Sequence, residues 1–101
     1  MKLSSLASAL CLAAAAGSTS AQDQNLARNL AASCANCHNT NGKALPGTGM
    51  VPLAGIQREQ LLQSVKDFKS GTKPATIMHQ IAKGYSDEQM DLIASYFAAQ
   101  K

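Results

Sequence analysis

Two cysteines and a histidine stand within five consecutive positions, Cys34-Ala35-Asn36-Cys37-His38, and one further cysteine, Cys11, occurs in the chain. On a helical turn, residues i, i+3 and i+4 share a face, so both thiols and the imidazole project to the same side. Three chemistries use such a string. A redox-active dithiol sits in a strand–helix–strand frame, and no strand pattern appears in the sequence. A tetrahedral zinc site needs a fourth ligand at ligand-like spacing, whereas Cys11 falls in an apolar leader-like run and His79 is a single distant option. The third is covalent attachment of a c-type haem, for which Cys-x-x-Cys-His is the signature. There the two thiols reach the vinyl groups on one porphyrin edge, and the next residue lies under the iron. The string therefore predicts one covalent haem c, with thioethers from Cys34 and Cys37 and an axial nitrogen from His38.

Size points the same way. Lys2, an uncharged Ala- and Leu-rich run over 3–17, and the small residues Gly17, Ser18, Thr19, Ser20 and Ala21 read as a secretory signal peptide, residues 1–21, with cleavage after Ala21. The run is too short and Ala-rich for a membrane span, and Leu10 before Cys11 is not the small residue a lipoprotein site requires. Residues 22–101, about 80 in all, are then a single haem-bearing domain in an oxidising, periplasmic compartment. A domain of that size needs a staple. With no Trp, two Tyr and two Phe it has little to build a core from, and a Cys34–Cys37 disulfide closes too small a loop to help much. A large apolar cofactor supplies the missing centre.

Four helical segments are expected. The first covers about 23–35, with Leu26 and Leu30 on its apolar face. A loop over 39–55 is punctuated by Gly42, Pro46, Gly47, Gly49, Pro52 and Gly55. The second helix covers 57–70, facing inward with Leu61, Val65 and Phe68 and stopping at Gly71. A short third follows Pro74 and ends at Gly84. The fourth is capped by Ser86 with Gln89 completing a capping box and Tyr85 stapled onto Met90; its apolar face is Leu92, Ile93, Tyr96 and Phe97. The expected fold class is all-α, about four helices with long loops around one haem.

An electron-transfer haem needs a sixth ligand, and a thioether raises its potential relative to a second histidine. Met50, Met78, Met90 and His79 are available. Met90 falls in a helix's first turn and reads as a staple. Met50 follows His38 by only twelve positions, which leaves little chain to cross between haem faces. Met78 follows by forty, with a whole helix between, and also reads as a core residue beside Ile77 and Ile81.

Over roughly 25–97 the sequence resembles the class I cytochromes c, and among them the haem subunits of flavocytochrome c sulfide dehydrogenase. The haem signature is shared by all class I members. More specific are Phe68-Lys69-Ser70-Gly71, Thr76-Ile77-Met78, the run Ile81-Ala82-Lys83-Gly84-Tyr85-Ser86-Asp87, and a last helix with Ala94, Tyr96 and Phe97. The resemblance implies a small class I cytochrome c fold and makes Met78 the axial ligand, because in that family the Met after Thr-Ile or Thr-Val holds this role. Pro52-Leu53-Ala54-Gly55 resembles the loop in which a Pro carbonyl accepts the ring N–H of the axial histidine, although the usual spacer between Pro and Leu is missing. His79 stands where the family has a small or different residue, and this chain has one haem signature where some members have two.

The implied function is transfer of single electrons as the haem subunit of a sulfide dehydrogenase, accepting them from an FAD-binding flavoprotein, with no bond-making catalysis by this chain. A free soluble periplasmic carrier meeting other redox proteins is the alternative, and a haem-based small-ligand binder the third possibility. With 9 Lys and Arg against 6 Asp and Glu and no dense basic run, nucleic acid is not an expected partner. Lys66, Lys69, Lys73 and Lys83 form either an ordinary solvated surface or a rim facing haem propionates or an acidic partner.

Overall fold

A computed structural model describes the backbone of residues 19–101 and the side chains of 25–101. The expected leader therefore lies largely outside the described residues. What is described is all-helical. α1 (Thr19–Ala31) runs through a 3₁₀ turn (Ala32–Cys34) into the one-turn helix α2 (Ala35–His38). A second 3₁₀ turn (Thr40–Gly42) opens the long loop, and then come α3 (Arg58–Ser70), α4 (Met78–Lys83) and α5 (Asp87–Ala98). No strand occurs among the described residues.

α5 has the most strongly marked start of the described helices. The Ser86 hydroxyl accepts the Gln89 N–H at 3.1 Å, and the Ser86 N–H donates to Gln89 Oε1 at 2.9 Å, the reciprocal capping box read from the sequence. The buried face is Met90, Ile93, Ala94 and Phe97, rotated from the expected one: Leu92 and Tyr96 are only half-buried. Small Ala94 lets α1 approach closely. On α1 the buried residues are Ala27 and Ala31 rather than Leu26, which is 47% exposed. Of the two leucines expected on the inner face, Leu30 packs half-buried against the core and Leu26 faces outward.

α3 adds Leu61 to the core, with Leu62 and Val65 packed against it, and stops at Gly71 as expected. Arg58 at its start pairs with Glu59 and with Asp91 of α5, exposed contacts worth little by themselves. α4 begins four residues later than Pro74 predicts. Its first helical carbonyl is that of Ile77, which receives Gln80 N–H at 2.9 Å and Ile81 N–H at 3.1 Å. Thr76 and Ile77 are both β-branched and disfavour helix, and Ile77 has φ −139°.

Among the described residues, eight hydrophobic side chains are buried and four of them are alanines. The protein's own core is thus thin, and the half-buried side chains Leu53, Cys34 and Tyr85 around it lead into a cleft instead of into more core.

Candidate functional site

That cleft is a cavity of about 640 Å³, within the roughly 300–1,000 Å³ of cofactor sites. Its walls come from four stretches of chain. Cys34, Cys37 and His38 line it from the turn that joins the first 3₁₀ segment to α2; Met50, Val51 and Leu53 from the long loop; Met78 and Ile81 from α4; Tyr85 from the α4–α5 junction. Among the described residues, no Asp, Glu, Lys or Arg lines it.

Cys34 and Cys37 are free thiols, Cys34 half-buried and Cys37 exposed. Burial pushes the Cys34 thiol up, partly offset by hydrogen bonding to the Ser33 side chain. Among the described residues no three His, Cys, Asp or Glu side chains converge as a bare metal site, which leaves the zinc reading without ligands there.

His38 Nδ1 lies 2.7 Å from the Val51 carbonyl oxygen. A carbonyl only accepts, so Nδ1 carries a proton and donates it, which leaves Nε2 as the nitrogen for a haem iron. The sequence resemblance gave this contact to a Pro carbonyl. Here it belongs to Val51, one position before Pro52. The missing spacer explains the shift: the Leu53 and Ala54 N–H groups are both held by the Gly42 carbonyl, at 2.8 and 3.1 Å, and with Pro52 directly attached to Leu53 the carbonyl that reaches His38 is the one upstream. Gly55 N–H on the Phe97 carbonyl (3.0 Å) anchors the loop's far end to α5. Asn41 Oδ1 accepts the Tyr96 hydroxyl at 2.6 Å, tying the turn after His38 to the same helix.

The four options for a sixth ligand separate spatially. Met90 is 5% exposed in the core and does not line the cavity. His79 lines a different cleft of about 280 Å³ with Phe68, Lys69, Lys73 and Lys83, and its Nδ1 is buried without a hydrogen-bond partner. Met50 and Met78 both line the main cavity. Met50 adjoins Val51, on the loop bonded to the Nδ1 edge of His38, whereas Met78 comes from a separate helix.

The donor set fits a haem: two free thiols, a histidine whose Nε2 is left for a metal, and walls without a charged side chain among the described residues. No family model matches the chain. Among curated proteins, cytochrome c-554(547) of Halothiobacillus neapolitanus is 35% identical over 82 residues, covering 69% of this chain and 87% of the relative. The chain belongs to the c-type cytochromes. Two further relatives are named by their redox context. The cytochrome subunit of sulfide dehydrogenase from Chlorobaculum tepidum is 39% identical over 69 residues, 67% of this cytochrome and 60% of the relative. A thiosulfate dehydrogenase electron acceptor from Stutzerimonas stutzeri is 36% identical over 76 residues, 75% of this cytochrome and 35% of the relative. This cytochrome thus spans less than two thirds of either of those two. Its cofactor is covalent haem c, as the family implies and the spacing of Cys34 and Cys37 fits. No helix among the described residues is long and apolar enough to cross a membrane.

Sequence reasoning missed Val51, because a backbone carbonyl has no residue-type signature. It also missed Ser33 and Tyr85, polar residues on the cavity wall whose relation appears only in three dimensions.

Proposed function

We propose that this cytochrome holds its haem through Cys34 and Cys37, with His38 and Met78 as axial ligands, and passes single electrons as the haem subunit of a periplasmic, sulfide-oxidising assembly with an FAD-binding partner. The observation that carries the reading is the meeting of Cys34, Cys37, His38 and Met78 on one uncharged cavity. When bound, the haem supplies a one-electron iron couple. The chain's residues do the rest. Cys34 and Cys37 keep the cofactor from leaving a shallow site. Val51 fixes the tautomer and orientation of His38. Met78 supplies a thioether from outside the segment that holds His38, which favours the ferrous state. Ile77, Met78, Ile81 and Leu53 present apolar surface that limits solvent rearrangement when the charge changes.

The sulfide context rests on the relative from Chlorobaculum tepidum and on the sequence resemblance. A free carrier is the second reading. It is favoured by the relative that this cytochrome spans almost fully, which is named simply as a cytochrome. Export with cleavage after Ala21 belongs to both readings, and mass measurement of the purified native protein checks it.

The test of the partner is affinity capture of the holoprotein from its source, followed by a flavin assay on what accompanies it. Stoichiometric flavin supports the subunit role; a cytochrome that purifies alone and is reduced by several donors supports the free carrier. The test of the ligand is Met78→Leu. The ferric protein shows a sulfur-to-iron charge-transfer band, this substitution abolishes it and lowers the potential, and Met50→Leu and Met90→Leu keep it. Loss of the band with Met50→Leu alone would transfer the role to the long loop.

A further inference from the structure

Two residues lining the haem cavity are joined by a hydrogen bond between segments far apart in sequence. The Tyr85 hydroxyl lies 2.6 Å from Ser33 Oγ. Ser33 Oγ also donates to the Leu30 carbonyl at 3.3 Å. A hydroxyl has one proton, so with the Ser33 proton on Leu30 the Tyr85 O–H is the donor of the bridge. Both residues line the cavity. Ser33 immediately precedes Cys34, and Tyr85 lies two residues beyond the end of α4, the helix that opens with Met78. Tyr85 is held from the other side as well: its carbonyl accepts Lys69 Nζ of α3, and its ring packs on the core.

α4 needs such help. It has six residues and one buried side chain, Ala82, and Ile77 just before it is 58% exposed. Helices this short are not stable alone, and segments with few buried contacts are the first to open. The bond from Tyr85 to Ser33 joins the far end of this weak segment to the segment carrying the haem signature.

We propose that Tyr85 and Ser33 form a latch that holds the α4 segment against the Cys34–His38 segment and thereby keeps external ligands away from the sixth coordination position. The exclusion part rests on the reading of Met78 as sixth ligand. Tyr85 acts here as a positioning residue: it leaves the identity of the ligand unchanged and sets how often the segment swings out. Deleting one hydrogen bond of this kind changes such an equilibrium by about two- to tenfold.

The experiment uses ferric holoprotein titrated with imidazole, followed in the Soret band, for wild type, Tyr85→Phe, Ser33→Ala and the double variant. Each single substitution is expected to tighten apparent imidazole binding about two- to tenfold, and the double variant to go no further than the stronger single one, because both remove the same bond. A purely structural contribution lowers the melting temperature without this non-additivity in ligand affinity. Unchanged affinity in the singles, or effects that multiply in the double variant, overturns the proposal. Amide hydrogen exchange over 78–84 separates it from the Met78 assignment. If wild type lacks the sulfur-to-iron band, the ligand reading fails, yet faster exchange over 78–84 in Tyr85→Phe or Ser33→Ala still supports the latch, and unchanged exchange in both overturns it.

Discussion

Gly42 is the position where one added methyl group tests the most of this fold. It has φ +74°, and a Cβ built there stands 2.8 Å from Phe97 Cδ1, 2.9 Å from the Ala54 backbone nitrogen and 2.9 Å from Leu53 Cβ. Favourable contact between carbon atoms lies near 3.5–4.0 Å. None of the three neighbours can give way cheaply. Phe97 is 2% exposed in the core, and the Leu53 and Ala54 N–H groups are bound to the Gly42 carbonyl itself. Gly42→Ala then costs about 1–2 kcal/mol for the left-handed backbone and about 1–3 kcal/mol for overpacking, less about 0.4–1 kcal/mol from the stiffer unfolded chain. The net is roughly 1–4.5 kcal/mol, which lowers the melting temperature of a domain this size by about 5–35 °C. Gly47→Ala is the control: φ is +81° but nothing lies within 4 Å, so only the backbone contribution, about 1 kcal/mol net, applies. Thermal unfolding of the two holoprotein variants by far-ultraviolet circular dichroism measures both. A Gly42→Ala protein no less stable than Gly47→Ala refutes the argument that the loop holding Val51 is packed tightly against α5.

In the native maturation system, Cys34→Ala and Cys37→Ala each yield little holoprotein on haem-stained gels; undiminished haem in the double variant would contradict attachment at this pair. The haem-free domain shows much less helix by circular dichroism than the holoprotein and no cooperative melt, because among the described residues half of the buried hydrophobic side chains are alanine. Ser86→Ala removes the capping box of α5 and costs about 1 kcal/mol, read as a lower denaturation midpoint of the holoprotein. The Glu59 carboxyl is held below its ordinary value by a hydrogen bond to its own backbone N–H and by the Arg58 side chain. Its small stabilisation is present above the unfolded value and fades as pH falls through the lower folded one, so Glu59→Gln flattens the melting-temperature profile on the acid side of about pH 4.5.

The haem signature, the α5 capping box, the stop of α3 at Gly71 and the all-helical class were all legible in the sequence, because each depends on residues within one or two turns of chain. Where neighbours far along the chain decide, the sequence misled or stayed silent. Pro74 marked a helix start that Thr76 and Ile77 delay. Of the two leucines marking the inner face of α1, Leu30 packs against the core while Leu26 is exposed, and the buried places go to Ala27 and Ala31. Met78 and His79 are adjacent in sequence and chemically comparable as ligands, yet one lines the haem cavity and the other a separate cleft, a distinction set by how α4 lies on α3. The partner of His38 is Val51 because Gly42 anchors Leu53 and Ala54. Local chemistry determined which residues can bind a haem, while the hydrogen bonds and packing between distant segments decided which of them meet around one cavity.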